Sequence, residues 1–413
     1  MFNKIKIQKN ITLFLIVFIF LGSGVCLAKE VSNTSELQSA LDNAKPGQII
    51  ILNDGEYNGP FVLNRSGKKH KRIIIRAKNR HQAIILGSGS DRDAFSIEGE
   101  VEAKPASVQY ITINGLKFQD AERAGLRISW ADKIRILNCE FANNGTWGLF
   151  TDFSTYNRVI NNDVYGSIAE HGMYFSNGGD NLLITNNRVH DNAASGIQIN
   201  ADPDYIIQGF GKRADGISDY VLLEKNIIYN NGELGGAAIN LASVRNSKFR
   251  KNLLYNNLAG GIAGWDNEYG NDYGTINNRF VNNTIYFKPD EGRWTMSFKN
   301  GSINNRVVNN LLFGGHSGAF EFDDDSITGL LMNYNNLYSD SGNDLVTNED
   351  SEETWNLNSW QDLGYDEHSL HYAPEDILLD LSHYDFHLAE DSPARQAGKD
   401  GYNIGRYKGK LIK

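Results

Sequence analysis

Two cysteines in 413 residues, Cys26 and Cys139, are too few for a disulfide framework. Long apolar runs are as scarce: the best, Ile11 to Leu21, falls short of the ~20 residues needed to span a bilayer. That run follows Lys4, Lys6 and Lys9 and precedes Cys26-Leu27-Ala28. Charge, apolar core and small-residue end in this order are expected of a secretory leader over residues 1–28, which implies a secreted or periplasmic protein with no membrane span after cleavage. Val25 is bulky for the residue before a lipidated cysteine, so plain export is the expectation. Positive charge is short too. Without the three leader lysines, the 40 basic side chains fall to 37 against 50 acidic ones, a net charge of −13, which argues against nucleic acid as a partner. Cys139 alone survives cleavage, so no intrachain disulfide can form and stability must come from burial.

What the chain does have is a repeat. Short segments of a small residue, an apolar one, a variable one and usually another apolar one begin at Gly125, Gly148, Gly172, Gly196, Ala238, Gly261, Thr295 and Ala319. Their spacings are 23, 24, 24, 42, 23, 34 and 24 residues, so two of them carry insertions. In step runs an asparagine with a ring three residues later: Asn138/Phe141, Asn162/Tyr165, Asn187/His190, Asn226/Tyr229, Asn252/Tyr255, Asn283/Tyr286, Asn310/Phe313 and Asn335/Tyr338. A period this short suits one turn of a solenoid of short strands, in which like residues stack at ~4.8 Å. The pattern predicts an all-β, single-stranded right-handed parallel β-helix over 29–338. Earlier strands are expected at Ile49 to Leu52, Arg72 to Arg76, Ala83 to Leu86 and Tyr110 to Phe118. A helical cap is expected over Ser35 to Ala44 with Ser35 as N-cap. Residues 339–413 lose the repeat and are expected to cap or side-pack the same domain, in a monomer.

Three stretches resemble known families. Glu36 to Leu41 followed by Pro46 to Tyr57 resembles the start of the chondroitinase B and alginate lyase family. Asn161 to Gly166, His171 to Tyr174 and Arg188 to Asn192 resemble the core of the mannuronan C-5-epimerases, although Thr151-Asp152-Phe153-Ser154 stands where those enzymes carry Asp-Pro-His-Asp. Tyr384 to Leu388 with Ser392-Pro393-Ala394 is similar to the closing segment of many secreted β-helix proteins. The resemblance implies a pectin-lyase-like solenoid and an acidic, uronate-containing polysaccharide as substrate. The resemblance does not place the lyases' catalytic lysine, arginine and calcium-binding acids on particular residues of this sequence.

Period-two alternation sends one column of each repeat outward: Arg127, Phe150, Tyr174, Gln198, Asn240, Ala263, Ser297 and Glu321. Two residues on, a parallel column holds Ser129, Asp152, Ser176, Asn200, Ala242, Trp265, Lys299 and Asp323. Trp147 and His171 precede their segments, so consecutive coils gather Arg127, Trp147, Phe150, Asp152, His171 and Tyr174. Arg127 or Arg123, or a metal on Asp152, would neutralise a uronate carboxylate. His171 would take the C5 proton, and Tyr174 would protonate the departing oxygen. Trp147 and Trp265 would stack on sugar rings, with Phe150, Gln198, Asn200 and Lys299 as further contacts.

The insertion at 201–219 adds Asp202, Asp204, Tyr205, Lys212 and Arg213, and a shorter one adds Asp266, Glu268 and Asp272 as possible calcium ligands. The cofactor expectation is therefore none or Ca²⁺. His190 sits in the ring ladder and reads as structural. The leading reading is β-elimination. C-5 epimerisation, glycoside hydrolysis through Asp152 with Asp202 or Asp204, and non-catalytic glycan binding are the alternatives.

Overall fold

Ile73–Ala77 alternates buried and half-buried residues, and the same period-two rule sorts nearly every strand into an inward and an outward set. The computed structural model describes residues 28–87, 92–209, 214–266, 269–342 and 344–407. Residues 1–27 of the leader expected over 1–28, and the candidates Lys212, Arg213 and Glu268, lie outside them. Three sheets of 12, 11 and 12 strands, parallel except for the antiparallel last pair Val346–Asn348 and Thr354–Trp355, wrap a single core as a right-handed β-helix. One coil runs from Arg135–Leu137 in the first sheet through Glu140–Ala142 in the second to Trp147–Asp152 in the third. The third sheet then hands the chain back to the first at Arg158–Ile160.

The expected outward column is the observed register of the third sheet: Arg127 pairs with Phe150, Phe150 with Tyr174, Tyr174 with Gln198 and Gln198 with Asn240. Inside, rings stack up the axis, as in Phe118 on Phe141 and Phe249 on Phe280, each pair with centroids 5.0 Å apart. Cys139 is buried in this core, and burial pushes its thiol up to about 12, so it stays an inert thiol.

At the corner between the first and second sheets, asparagine side chains form a continuous hydrogen-bonded column. The Nδ2 of Asn162 donates to Oδ1 of Asn187 at 2.9 Å, and the relay continues through Asn226, Asn252, Asn283 and Asn310 to Asn335. Its first expected pair is out of register. Cys139, not Asn138, occupies the ladder position, donating its N–H to Asn162 at 2.8 Å. Phe141 accordingly aligns with Val164 inside the core, while Tyr165 begins the outer ring stack on His190, 5.1 Å away. Second and third asparagine columns line the other corners, for example Asn192 to Asn231 at 2.8 Å and Asn278 accepting from Ser247 N–H at 2.9 Å.

Two other expectations needed correction. The cap helix is Thr34–Asp42 with Asn33 as N-cap. Asn33 accepts the Glu36 N–H at 2.9 Å while Glu36 accepts the Ser32 N–H at 2.7 Å, a reciprocal box that Ser35 cannot make from inside the helix. The stretch Tyr110 to Phe118 is two strands, Ile111–Asn114 and Lys117–Gln119, because the chain turns the corner at Gly115, whose φ of +73° favours glycine.

At the other end, helix Leu357–Asp362 lays Trp360 on Phe322, centroids 5.8 Å apart. The last segment packs Ile377, Phe386, Leu388 and Ile404 against Leu253, Leu311 and Phe313 of the second sheet. Among the described residues no helix is long and apolar enough to cross a membrane.

Candidate active site on the third sheet

Tyr174 is the hub of the gathered residues. Its ring meets Phe150 at 5.4 Å, Trp147 at 5.7 Å and His171 at 5.3 Å, each nearly edge to face, and Trp147 stacks on Phe150 at 4.4 Å. Asn200 Nδ2 donates to the Tyr174 hydroxyl at 3.4 Å. Burial raises the phenol's pKa, with Asp202 and Glu170 adding to the rise, while hydrogen bonds from Ser176 and Asn200 oppose it. Trp147 is fixed by its indole N–H on Glu170 at 2.8 Å. Gln198 Oε1 accepts from Asn240 at 2.7 Å, and Asn240 in turn accepts from the Trp265 indole at 2.8 Å.

His171 is poised differently from the expectation. The Ser195 N–H points to Nδ1 at 3.2 Å. A backbone N–H can only donate, so Nδ1 is the acceptor and the neutral ring carries its proton on Nε2. Burial lowers the imidazole to about 4. A neutral ring with its lone pair engaged is a poor base and a good N–H donor. The folded-state pKa lies below the unfolded value of about 6.5, so the unfolded chain binds this proton first. Stability is full above about pH 6.5 and falls by roughly 3 kcal/mol as pH drops to about 4. Urea midpoints at pH 7 and 4.5 should show this loss, and His171→Gln should flatten it; equal slopes in both proteins would refute the assignment.

The expected cations are tied up. Arg127 donates to Asp152 at 3.0 Å and to Ser129 at 3.2 Å, and burial notwithstanding, Asp152 keeps its guanidinium firmly charged. Arg123 forks onto Asp93 at 2.9 and 3.0 Å, with its guanidinium 5.6 Å from the Trp147 ring. Arg127 therefore spends its charge on one oxygen of Asp152, while the other, Oδ1, is buried with no hydrogen-bond partner among the described residues. Among the described residues no three His, Cys, Asp or Glu side chains are grouped to hold a metal ion. Asp266 is engaged by Asn300 at 3.0 Å.

The insertions stand at one edge of the sheet. Tyr205 packs on Phe153, 5.3 Å away, in a small cluster with Trp130 and Ala214, so it braces the corner. Asp204 takes a hydrogen bond from the Tyr269 hydroxyl, which joins the two insertions. Asp202 is held up by burial and by Asp204.

Farther along the same face lies a depression of about 240 Å³ lined by Trp265, Trp294, Arg293, Lys299, Glu321 and the small residues between them. The column reading found Trp265 and Lys299 but missed Arg293 and Trp294 as partners. Their signal was the run of small residues, Ala237, Gly260 and Ala263, flanked by two tryptophans.

Residues 27–232 match the family model of the Pel9A-like right-handed β-helix region. Among solved structures, pectate lyase Pel9A superposes with a TM-score of 0.61 at 15% identity over 90% of each chain. An alginate lyase from Paenibacillus sp. str. FPU-7 gives 0.55 at 19% identity over 73% of this chain and 97% of its own. PfbA, a surface adhesin of Streptococcus pneumoniae, gives 0.54 at 13% identity over 78% and 89%. At these identities the likeness is one of fold. No curated protein matches the sequence.

Proposed function

We propose, from a chain whose residues 27–232 match the Pel9A-like right-handed β-helix region, that it is an exported protein that binds a uronate-containing polysaccharide along its third sheet and cleaves it by β-elimination. The observation that carries this reading is Tyr174, a phenol ringed by Trp147, Phe150 and His171 with Asn200 on its hydroxyl.

In the reaction the C5–H bond breaks, the electron pair forms the C4–C5 double bond, and the glycosidic C4–O bond breaks. Tyr174 as phenolate takes the C5 proton and returns it to the departing oxygen on the same face, so no proton is left over. The His171 Nε2–H donates to the uronate carboxylate, spreading the charge that develops there. Trp147 supplies an apolar face for the neighbouring sugar. Because burial holds Tyr174 above its ordinary value, the phenolate fraction, and with it the rate, climbs about tenfold per pH unit below that pKa. No inflection is expected near pH 6.5, since His171 stays neutral there.

The test is the chain lacking residues 1–28 with alginate, pectate, chondroitin and heparan, followed by ultraviolet absorbance of unsaturated uronate ends. A rate that climbs with pH supports the assignment; silence on every polymer sinks elimination. A second reading, glycan binding without cleavage, is favoured by the pairing of Arg127 with Asp152 and Arg123 with Asp93. It predicts saturable binding with no absorbance change.

A further inference from the structure

We infer that the depression between Trp265 and Trp294 is a separate subsite for one carboxylated pyranose ring, with Arg293 as its carboxylate receptor. The inference rests on the proposal that the third sheet binds an acidic polysaccharide, and adds a position and a selectivity to it.

The sequence builds the site by omission. Where the outward columns elsewhere carry Trp147, Phe150, His171 and Tyr174, these coils carry Ala237, Gly260 and Ala263. The floor drops and two indoles are left standing at opposite ends of adjacent strands. Both walls are fixed before any ligand arrives. Trp265 donates its indole N–H to Asn240 at 2.8 Å, and Asn240 is itself held by Gln198 at 2.7 Å. Trp294 leans on the coil above, where a side chain at Gly318, with φ of +144°, would lie 2.3 Å from the indole Cζ3.

Rigid indoles suit the flat C–H face of a sugar ring, because little conformational freedom is lost on binding. Lys299 is held between Glu321 at 3.0 Å and Glu349 at 2.5 Å, so its charge is spent within the wall. Arg293 is exposed, lines the depression and forms no ion pair with any described residue. A guanidinium without a carboxylate partner, beside two stacking faces, matches a ring that brings its own carboxylate. Ser297 and Glu321, joined by a 2.8 Å hydrogen bond from the serine, complete the lining. The depression lies three coils beyond Tyr174, about 14 Å at ~4.8 Å per coil, on the strip a bound polymer would follow.

Binding is measured in the full chain lacking its leader and carrying Tyr174→Phe, so that no cleavage disturbs equilibrium. The probes are hexamers from alginate, pectate and chondroitin, with cellohexaose as the neutral control, read by tryptophan fluorescence and calorimetry. At least one acidic hexamer is expected to bind and to outcompete the neutral one. Arg293→Ala should weaken it by about tenfold or more, as for loss of a charge-assisted hydrogen bond. Arg293→Lys should restore part of the loss, and Trp294→Ala should weaken binding and remove most of the fluorescence change.

Unaltered affinity in Arg293→Ala, equal binding of cellohexaose, or no binding of any acidic hexamer overturns the subsite. Arg293-dependent binding in a protein that cleaves no polymer would leave the subsite standing and remove the elimination reading. Cleavage with Arg293-independent binding would do the reverse.

Discussion

Tyr174→Phe is expected to lower the formation of unsaturated uronate ends by about 10²- to 10⁴-fold, the range for a positioned proton-transfer group. The substitution is a clean one. Phenylalanine keeps the ring that packs on Phe150, Trp147 and His171, and it removes only the hydroxyl and its hydrogen bonds with Asn200 and Ser176. KM should therefore stay within about twofold, because an interaction used only in the transition state lowers kcat without altering ground-state binding. His171→Gln offers the contrast. Glutamine can still donate to a carboxylate, so a residual rate well above that of Tyr174→Phe is expected. If Tyr174→Phe keeps more than a tenth of the parental rate while His171→Gln loses all of it, the imidazole moves the proton and the roles of the two residues are exchanged.

Asn283→Leu should destabilise the solenoid by about 4 kcal/mol, close to the largest effect a single substitution ordinarily has. The Asn283 side chain is fully buried. Its Oδ1 accepts from Asn252 N–H at 3.1 Å and from Asn252 Nδ2 at 2.9 Å, and its Nδ2 donates to Phe249 O at 2.9 Å and Asn310 Oδ1 at 3.0 Å. Leucine has much the same size and satisfies none of these groups, and each buried polar group left alone costs about 1–3 kcal/mol. The exposed Asn230, whose side chain donates to Asp191 at 3.1 Å and whose φ of +54° glycine adopts without strain, is the control: Asn230→Gly should cost less than about 1 kcal/mol. Urea midpoints compare the two, and similar shifts would mean that the ladder contributes little beyond filling space.

The solenoid was legible because its repeat is a consequence of stacking: a residue that works at one coil's corner works at the next. The outward columns came out in their true register for the same reason, from Arg127 through Glu321. Local hydrogen bonding was harder to read. Asn138 and Asn162 look equivalent by spacing, yet a one-residue shift in the coil puts Cys139 at the ladder. Asn33 and Ser35 are both good caps by type, and only the return bond from Glu36 separates them. On the third sheet, residue type and column gathered side chains that touch one another, but not their states. Neither the pairing of Arg127 with Asp152 nor the Ser195 N–H on His171 follows from spacing, because both depend on side-chain reach between coils. The cavity of Arg293 and Trp294 was hidden because it is made by residues that are small.

The asparagine relay has a sense of direction. Every amide passes its N–H toward the C-terminal end, and the last, Asn335, finishes on Asp366 at 2.9 Å, a carboxylate also gripped by the Trp360 indole at 3.1 Å. Coils in the middle are thus interchangeable links, each accepting from below and donating above, while the top alone requires an acceptor that passes nothing on. Asp366 is a stop signal. A chain truncated before Asn356 would leave the Asn335 amide unmet and the strand Leu331–Asn333 open along its free edge, and stacks of that kind grow end to end into fibres.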